Sequence, residues 1–176
     1  MIKIRIDDKL RNILPQFTVG VVSFTCKVNK TDKLDSFIEK LQEEVRNKYI
    51  LTDVLKIPQI LAARNGYKKL GKDPSRYRLA VESLFRRIVK GNYLYRINDV
   101  VDIGNILSLK TKRSVAVLDQ DKIIGDVLIR VGQDEPYEGI GRGKINIENI
   151  PAYCDEIGPF GTPTSDTERT MITDST

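Results

Sequence analysis

The chain has 176 residues, 40% of them hydrophobic and 30% charged, with a net charge of +5. That is enough to bury one ordinary core, and nothing demands a second. It contains no histidine and only two cysteines, Cys26 and Cys154, which excludes Ser-His-Asp and Cys-His nucleophiles, His-ligated metal catalysis, a Cys-x-x-Cys zinc site and a disulfide framework.

No cofactor and no metal site is expected, and both cysteines read as buried small hydrophobes. General acid–base work falls to Asp, Glu, Lys, Tyr, water or a group on the substrate. No apolar run is long enough to span a bilayer and no charged-then-apolar leader opens the chain, so a cytoplasmic protein without a membrane partner is the expectation.

In chain order, Ile2 to Ile6 alternates as a strand, and Phe17 to Val28 reads as a longer strand rich in Val, Phe and Thr. Leu34, Phe37, Ile38, Leu41, Val45 and Tyr49 then recur at helical spacing behind Thr31 and Asp32 as start signals. Pro58 opens a shorter helix ending near Asn65-Gly66. A further helix is predicted from Pro74 to Lys90, with Asp73 as its N-cap and Gly91 as its stop.

The most unusual stretch follows, Asn98 to Leu109, in which polar residues interrupt an apolar run. Read as a helix, it puts Asn98, Asp102 and Asn105 on one face, while Val101, Ile103, Ile106, Leu107 and Leu109 supply burial. Those polar groups either cap turns and satisfy a core or present a site. Beyond it the pattern turns to short strands, Val115 to Leu118, Ile123 to Arg130, Lys144 to Ile147 and Ala152 to Ile157. The whole reads as one α+β domain, 1–176, a sandwich of mainly antiparallel sheet with packed helices.

Charge is distributed unevenly. Between Arg64 and Lys90 nine basic residues face only Asp73 and Glu82, a local charge of +7 that leaves −2 on the rest. On the predicted helix Arg76, Arg86, Arg87 and Lys90 fall within an arc of about 100°. Either this is a solvated helix face or it meets a phosphate backbone. Tyr67 and Tyr77 interleave with the basic residues and have the chemistry to stack on bases, although tyrosines so placed also serve as half-buried packing.

Two tempting motifs are set aside. Gly139-Ile140-Gly141-Arg142-Gly143-Lys144 lacks the spacing and the Ser or Thr of a phosphate loop and precedes a strand-like segment, so it reads as a hairpin loop. Asp119-Gln120-Asp121 begins like a calcium loop, but Ile123 and Ile124 take ligand-bearing positions, so it reads as a turn.

An ordered set of residues resembles a known family. Arg64-Asn65-Gly66-Tyr67, Gly71 to Arg78, Ser83-Leu84 with Arg86-Arg87, Asn98 to Leu109, Leu118-Asp119, Ile129-Arg130, and a final block from Asp155 through Gly158, Gly161, Ser165-Asp166 and Arg169-Thr170 are similar to the editing module formed by the third and fourth domains of the phenylalanyl-tRNA synthetase β-subunit. That module also occurs free-standing. The resemblance covers 64 to 176 and, more loosely, the first 60 residues. It divides the domain into an N-terminal strand–helix part, 1–60, and an editing-module-like core, 61–176. Family members continue past Thr176 with a strand and usually a helix, so the resemblance implies a truncated chain.

The resemblance implies tRNA or aminoacyl-tRNA as partner and hydrolysis of a mischarged ester by a protein that is not a complete ligase. The alternative is a noncatalytic RNA-binding or synthetase-associated module with a degenerate pocket. It implies that the glycine-containing loop, with Gly161 and Thr162, lines the pocket for the aminoacyl group and that Gly104 and Asn105 line the facing wall; disorder is the competing reading of that loop. Ala116 stands where synthetase members carry a histidine. Without it the expected route is a water held by Asn105 and backbone amides with help from the terminal ribose hydroxyl, and Asp166 is the candidate if a carboxylate base acts instead.

Overall fold

The computed structural model describes residues 2–176. In chain order its elements are β1 (Ile4–Ile6), α1 (Asp8–Ile13), α2 (Asp35–Lys48), α3 (Leu51–Val54), α4 (Pro58–Lys69), α5 (Ala80–Val89), α6 (Asp99–Thr111), β2 (Val127–Val131), β3 (Glu138–Gly139), β4 (Gly143–Lys144), β5 (Pro151–Cys154) and β6 (Pro159–Gly161). The architecture is α+β, as the sequence implied, with the helices concentrated in the first two thirds.

The main sheet runs β1-β2-β5-β6, and β3-β4 forms a separate hairpin. β2, β5 and β6 are antiparallel neighbours, but β1 lies parallel to β2, with Ile4 opposite Val127. The sheet is therefore mixed. On β2, Val127, Ile129 and Val131 are buried and alternate with half-buried Leu128 and Arg130, the period-two pattern of a strand with one face on a core. That face packs with Leu10 of α1 and Phe160 of β6.

A second cluster joins the helices. Val54, Ile60, Phe85 and Ile88 are fully buried between α3, α4 and α5, with Ile106 and Leu109 of α6 alongside. Phe85 meets Tyr49 edge to face, centroids 5.5 Å apart at 87°. On α5, Val81, Phe85 and Ile88 follow the i, i+4, i+7 spacing that a helix needs to bury one stripe.

Several expectations are corrected. The stretch 17–28 forms no strand: it finds no partner in either sheet, and Val22 and Phe24 are 84% and 66% exposed. β propensity makes a strand only where a neighbour accepts its backbone bonds. Cys26 in that stretch is exposed, while Cys154 is buried. Segment 115–118 likewise contributes only a bridge between Leu118 and Met171.

The helix expected from Pro74 begins at Ala80 instead. Asp73 accepts hydrogen bonds from its neighbour Ser75, N–H at 2.8 Å and Oγ at 2.6 Å, closing a local turn that competes with helix initiation. Leu79 is then extended and buried. α4 runs three residues past Gly66. The 139–144 segment is a β-hairpin, as expected.

Candidate functional site

The loop following β6 is ordered by a dense set of hydrogen bonds, which sets aside the disordered reading. Buried Thr162 organises it. Its Oγ1 accepts from the N–H groups of Thr164 (3.2 Å) and Ser165 (3.1 Å) and donates to the Ser165 carbonyl (2.9 Å). Tyr137 donates to that same carbonyl at 2.5 Å, and the hydroxyls of Tyr67 and Thr164 share a bond of 2.9 Å. Tyr67 is thus a buried structural post rather than a base-stacking surface.

Upstream, Asp155 closes the β5–β6 turn by accepting from the N–H groups of Ile157 and Gly158. Arg169 grips the same carboxylate with two bonds of 2.9 Å. Burial would raise the Asp155 pKa, but the guanidinium and the backbone donors outweigh it and hold the carboxyl below its ordinary range.

Within this frame sits Asp166. The residue keeps partial exposure, yet its Oδ1 is buried and accepts no hydrogen bond. Burial pushes its pKa up to about 7, and the Thr162 backbone N–H only partly offsets that. Gly161 lies against it: a Cβ there would stand 2.9 Å from Oδ1 and 2.9 Å from the Tyr153 ring. Only a glycine lets the β6 backbone come so close. Tyr137 and Tyr153 are pushed to higher pKa values, first by burial and then by this carboxyl. Gly161, Thr162 and Asp166 therefore come together as one constellation.

Gly104 and Asn105 lie on α6, and the segment that carries Ala116 packs against Gly104 through Val117. Gly104 is buried on α6, and a Cβ there would approach Val117 Cγ2 to 2.3 Å, so this glycine admits a valine side chain against the helix. Asn105 is half-buried and Ala116 is exposed. Ser114 joins the segment before Ala116 to the loop after β6: its Oγ donates to the Pro163 carbonyl at 3.1 Å, and that carbonyl also takes the first N–H of α5, from Ala80, at 2.8 Å. Asn98 and Asp102 have structural duties. Asn98 caps α6 through the Val101 N–H at 3.0 Å, and buried Asp102 binds Arg96 at 2.7 Å.

The basic residues are less uniform than their count suggests. Glu82 is buried beneath Arg64 at 2.8 Å, with Arg86 and Arg78 at 3.9 and 4.0 Å from its other oxygen. Buried Lys72 donates to Asn146 and sits 3.9 Å from the Tyr77 ring centroid. Arg76 lies in the turn before α5, off the helix that was to align it with Arg86, Arg87 and Lys90, and both Arg76 and Lys90 are exposed. Arg86 and Arg87 occupy the last turn of α5, where the helix dipole favours cations.

Two open cavities, of about 520 and 380 Å³, lie along α2 and beside α3–α4, away from these residues. Among the described residues no helix is long and apolar enough to cross a membrane, and no group of His, Cys, Asp or Glu is disposed to hold a metal ion.

The family model of the B3/4 domain matches residues 62–176, a span that contains α5, α6, most of the sheet and the whole loop around Asp166. The chain belongs to the B3/4 domain family. This is the domain found in the phenylalanyl-tRNA synthetase β-subunit, where it forms the editing module. No curated protein and no solved structure matches the chain. The B3/4 match begins within α4, so β1, which completes the main sheet, and α2, which supplies part of the helical core, lie outside it.

Proposed function

We propose that this B3/4 protein binds aminoacyl-tRNA and hydrolyses the ester of a mischarged one. The carrying observation is Asp166, a carboxyl with a sequestered, unbonded oxygen and a pKa of about 7 in a chain without histidine. A general base works best when its pKa lies near the working pH, since it is then both available and able to take a proton. Acyl transfer from a ribose ester needs only that group, a positioned water and donors for the oxyanion.

In this reading Asp166 takes the proton of the attacking water and returns it to the ribose oxygen as the acyl C–O bond breaks, and Gly161 and Thr162 supply the close backbone wall on which the aminoacyl group rests. Asn105 and Gly104 stand on the facing side, and Ala116 leaves open the place that a histidine occupies in synthetase members. The exposed cations Arg76 and Lys90, with Arg86 and Arg87, face the phosphates. The test is deacylation of a panel of mischarged tRNAs by the wild type and by Asp166→Asn. Wild-type hydrolysis that rises with pH through about 7 and is lost in the variant, with tRNA affinity unchanged, is expected. Tight binding with no turnover on any substrate would instead assign a noncatalytic RNA-binding module.

A further inference from the structure

The segment between α5 and α6 was not singled out by sequence periodicity, yet it carries the most exposed aromatic surface near the basic helix end. Exposure alternates strictly along it. Tyr93, Tyr95 and Ile97 are 65%, 70% and 52% exposed, whereas Leu94 and Asn98 are buried and Arg96 half-buried. Leu94 is pinned by its N–H to Oε1 of buried Gln42 at 2.7 Å. Arg96 is held by Asp35, Asp99 and Asp102. The inward residues fix the backbone, and the outward ones, two positions apart, are left together on the exposed side.

Cations attend both rings. The Arg87 guanidinium lies 3.8 Å from the Tyr95 centroid while its Nε donates to the Tyr93 carbonyl, and Arg46 lies 5.3 Å from the Tyr93 centroid. Lys90 is exposed three residues upstream of Tyr93, and Lys30 donates to the Arg96 carbonyl at 3.3 Å. An aromatic row flanked by guanidinium planes and lysines has the chemistry that binds a single-stranded nucleic acid: π-faces for unpaired bases and cations for the backbone between them.

We propose that Tyr93 and Tyr95, with Arg46, Arg87 and Lys90, form a stacking platform for unpaired bases of an RNA single strand. On the α2 side Glu39 and Glu43 are balanced by Lys40 and Arg46 around the open cavity beside Tyr93, so the unbalanced cations Arg87 and Lys90 draw the strand past the end of α5. A duplex, whose bases are already stacked on each other, has no face to offer the platform. The inference rests on reading the protein as RNA-binding, but not on ester hydrolysis or on Asp166.

The test measures binding of an end-labelled oligoadenylate single strand, and of an RNA duplex of equal length, by fluorescence anisotropy, with intact tRNA as a third ligand. Wild type should prefer the single strand. Tyr93→Ala and Tyr95→Ala should each weaken it by about tenfold, and the double Phe variant should retain affinity because it keeps both π-faces. Both side chains point outward, so circular dichroism should show each variant folded. The chain has no tryptophan, so Tyr93→Trp also provides a lone reporter whose emission should quench on stacking. Unchanged affinity in the double Ala variant overturns the proposal, as does failure of wild type to bind the single strand while it binds tRNA. That last result leaves the tRNA reading standing, whereas loss of tRNA binding altogether removes that reading as well. A concentration-dependent dimer abolished by the double Ala variant would reassign the row to contact between copies.

Discussion

Replacing Asp166 with Asn should make the protein more stable at neutral and alkaline pH while disabling it. In the folded state burial holds the Asp166 carboxyl at about 7, against 3.8 for the free group. The folded protein therefore binds a proton that the unfolded chain has released at every pH between those values. Stability falls as pH rises through that interval and levels off above about 7. The difference corresponds to about 4 kcal/mol at about 1.4 kcal/mol per tenfold, and partial exposure of the residue reduces it to about 2–4 kcal/mol. The amide is close in shape and carries no charge to strand. Urea denaturation from pH 4 to 8 should show wild type and Asp166→Asn nearly equal near pH 4 and diverging to that margin by pH 8, the variant higher. Using the difference between the two proteins cancels the carboxylates that titrate with the opposite sign, such as Asp155 and Glu135, both held low by arginine partners. A difference that does not change with pH, or a variant less stable at pH 8, refutes the assignment of a strained carboxyl.

Other perturbations address the frame. Glu82→Gln strands Arg64 beside a neutral amide in a buried site and should cost about 3 kcal/mol in chemical denaturation. Gly104→Ala drives a methyl into Val117 and should cost about 1–3 kcal/mol. Adding Val117→Ala should recover much of that loss, and additive single costs in the double-mutant cycle would show that the two do not touch. Arg169→Ala removes the partner that keeps Asp155 charged. A depressed carboxyl stabilises above its unfolded pKa and that stability is lost as pH falls, so the variant's acid-unfolding midpoint should move to higher pH, read by circular dichroism.

The helical half was legible because its signals are local. Leu34 to Tyr49 and the Asn98 to Leu109 stretch carry the period of their helices, and of the two roles open to Asn98, capping or presenting a site, the structure shows the cap. Strands depend on distant partners: the Val- and Phe-rich 17–28 stretch has the composition of a strand and no neighbour in either sheet, whereas the alternation of Ile2 to Ile6 is met by three-residue β1, paired across the molecule. At the candidate site, the family resemblance pointed to the loop with Gly161 and Thr162, and Asp166, the candidate carboxylate base, lies a few residues on in the same loop. The tyrosines that surround Asp166, from positions 137 and 153, come from other elements and left no mark in sequence spacing. Tyr93-Leu94-Tyr95-Arg96-Ile97, by contrast, alternates openly in the sequence directly after the helix stop at Gly91.

The parallel pairing of β1 with β2 has a consequence for how the chain reaches its fold. Ile4 meets Val127 across more than a hundred residues, a closure whose entropy is recovered only when the sheet edge forms. During synthesis the first strand is made early and must wait, solvated, until its partner emerges and the helices between them have docked. β2 pairs with β5 over a far shorter connection, so an antiparallel part of the sheet formed before β1 docks would present an open edge to solvent. β1 is thus the clasp on one edge of the sheet, and a nascent or heated molecule in which it is undocked would expose that edge of β2 to other copies of itself.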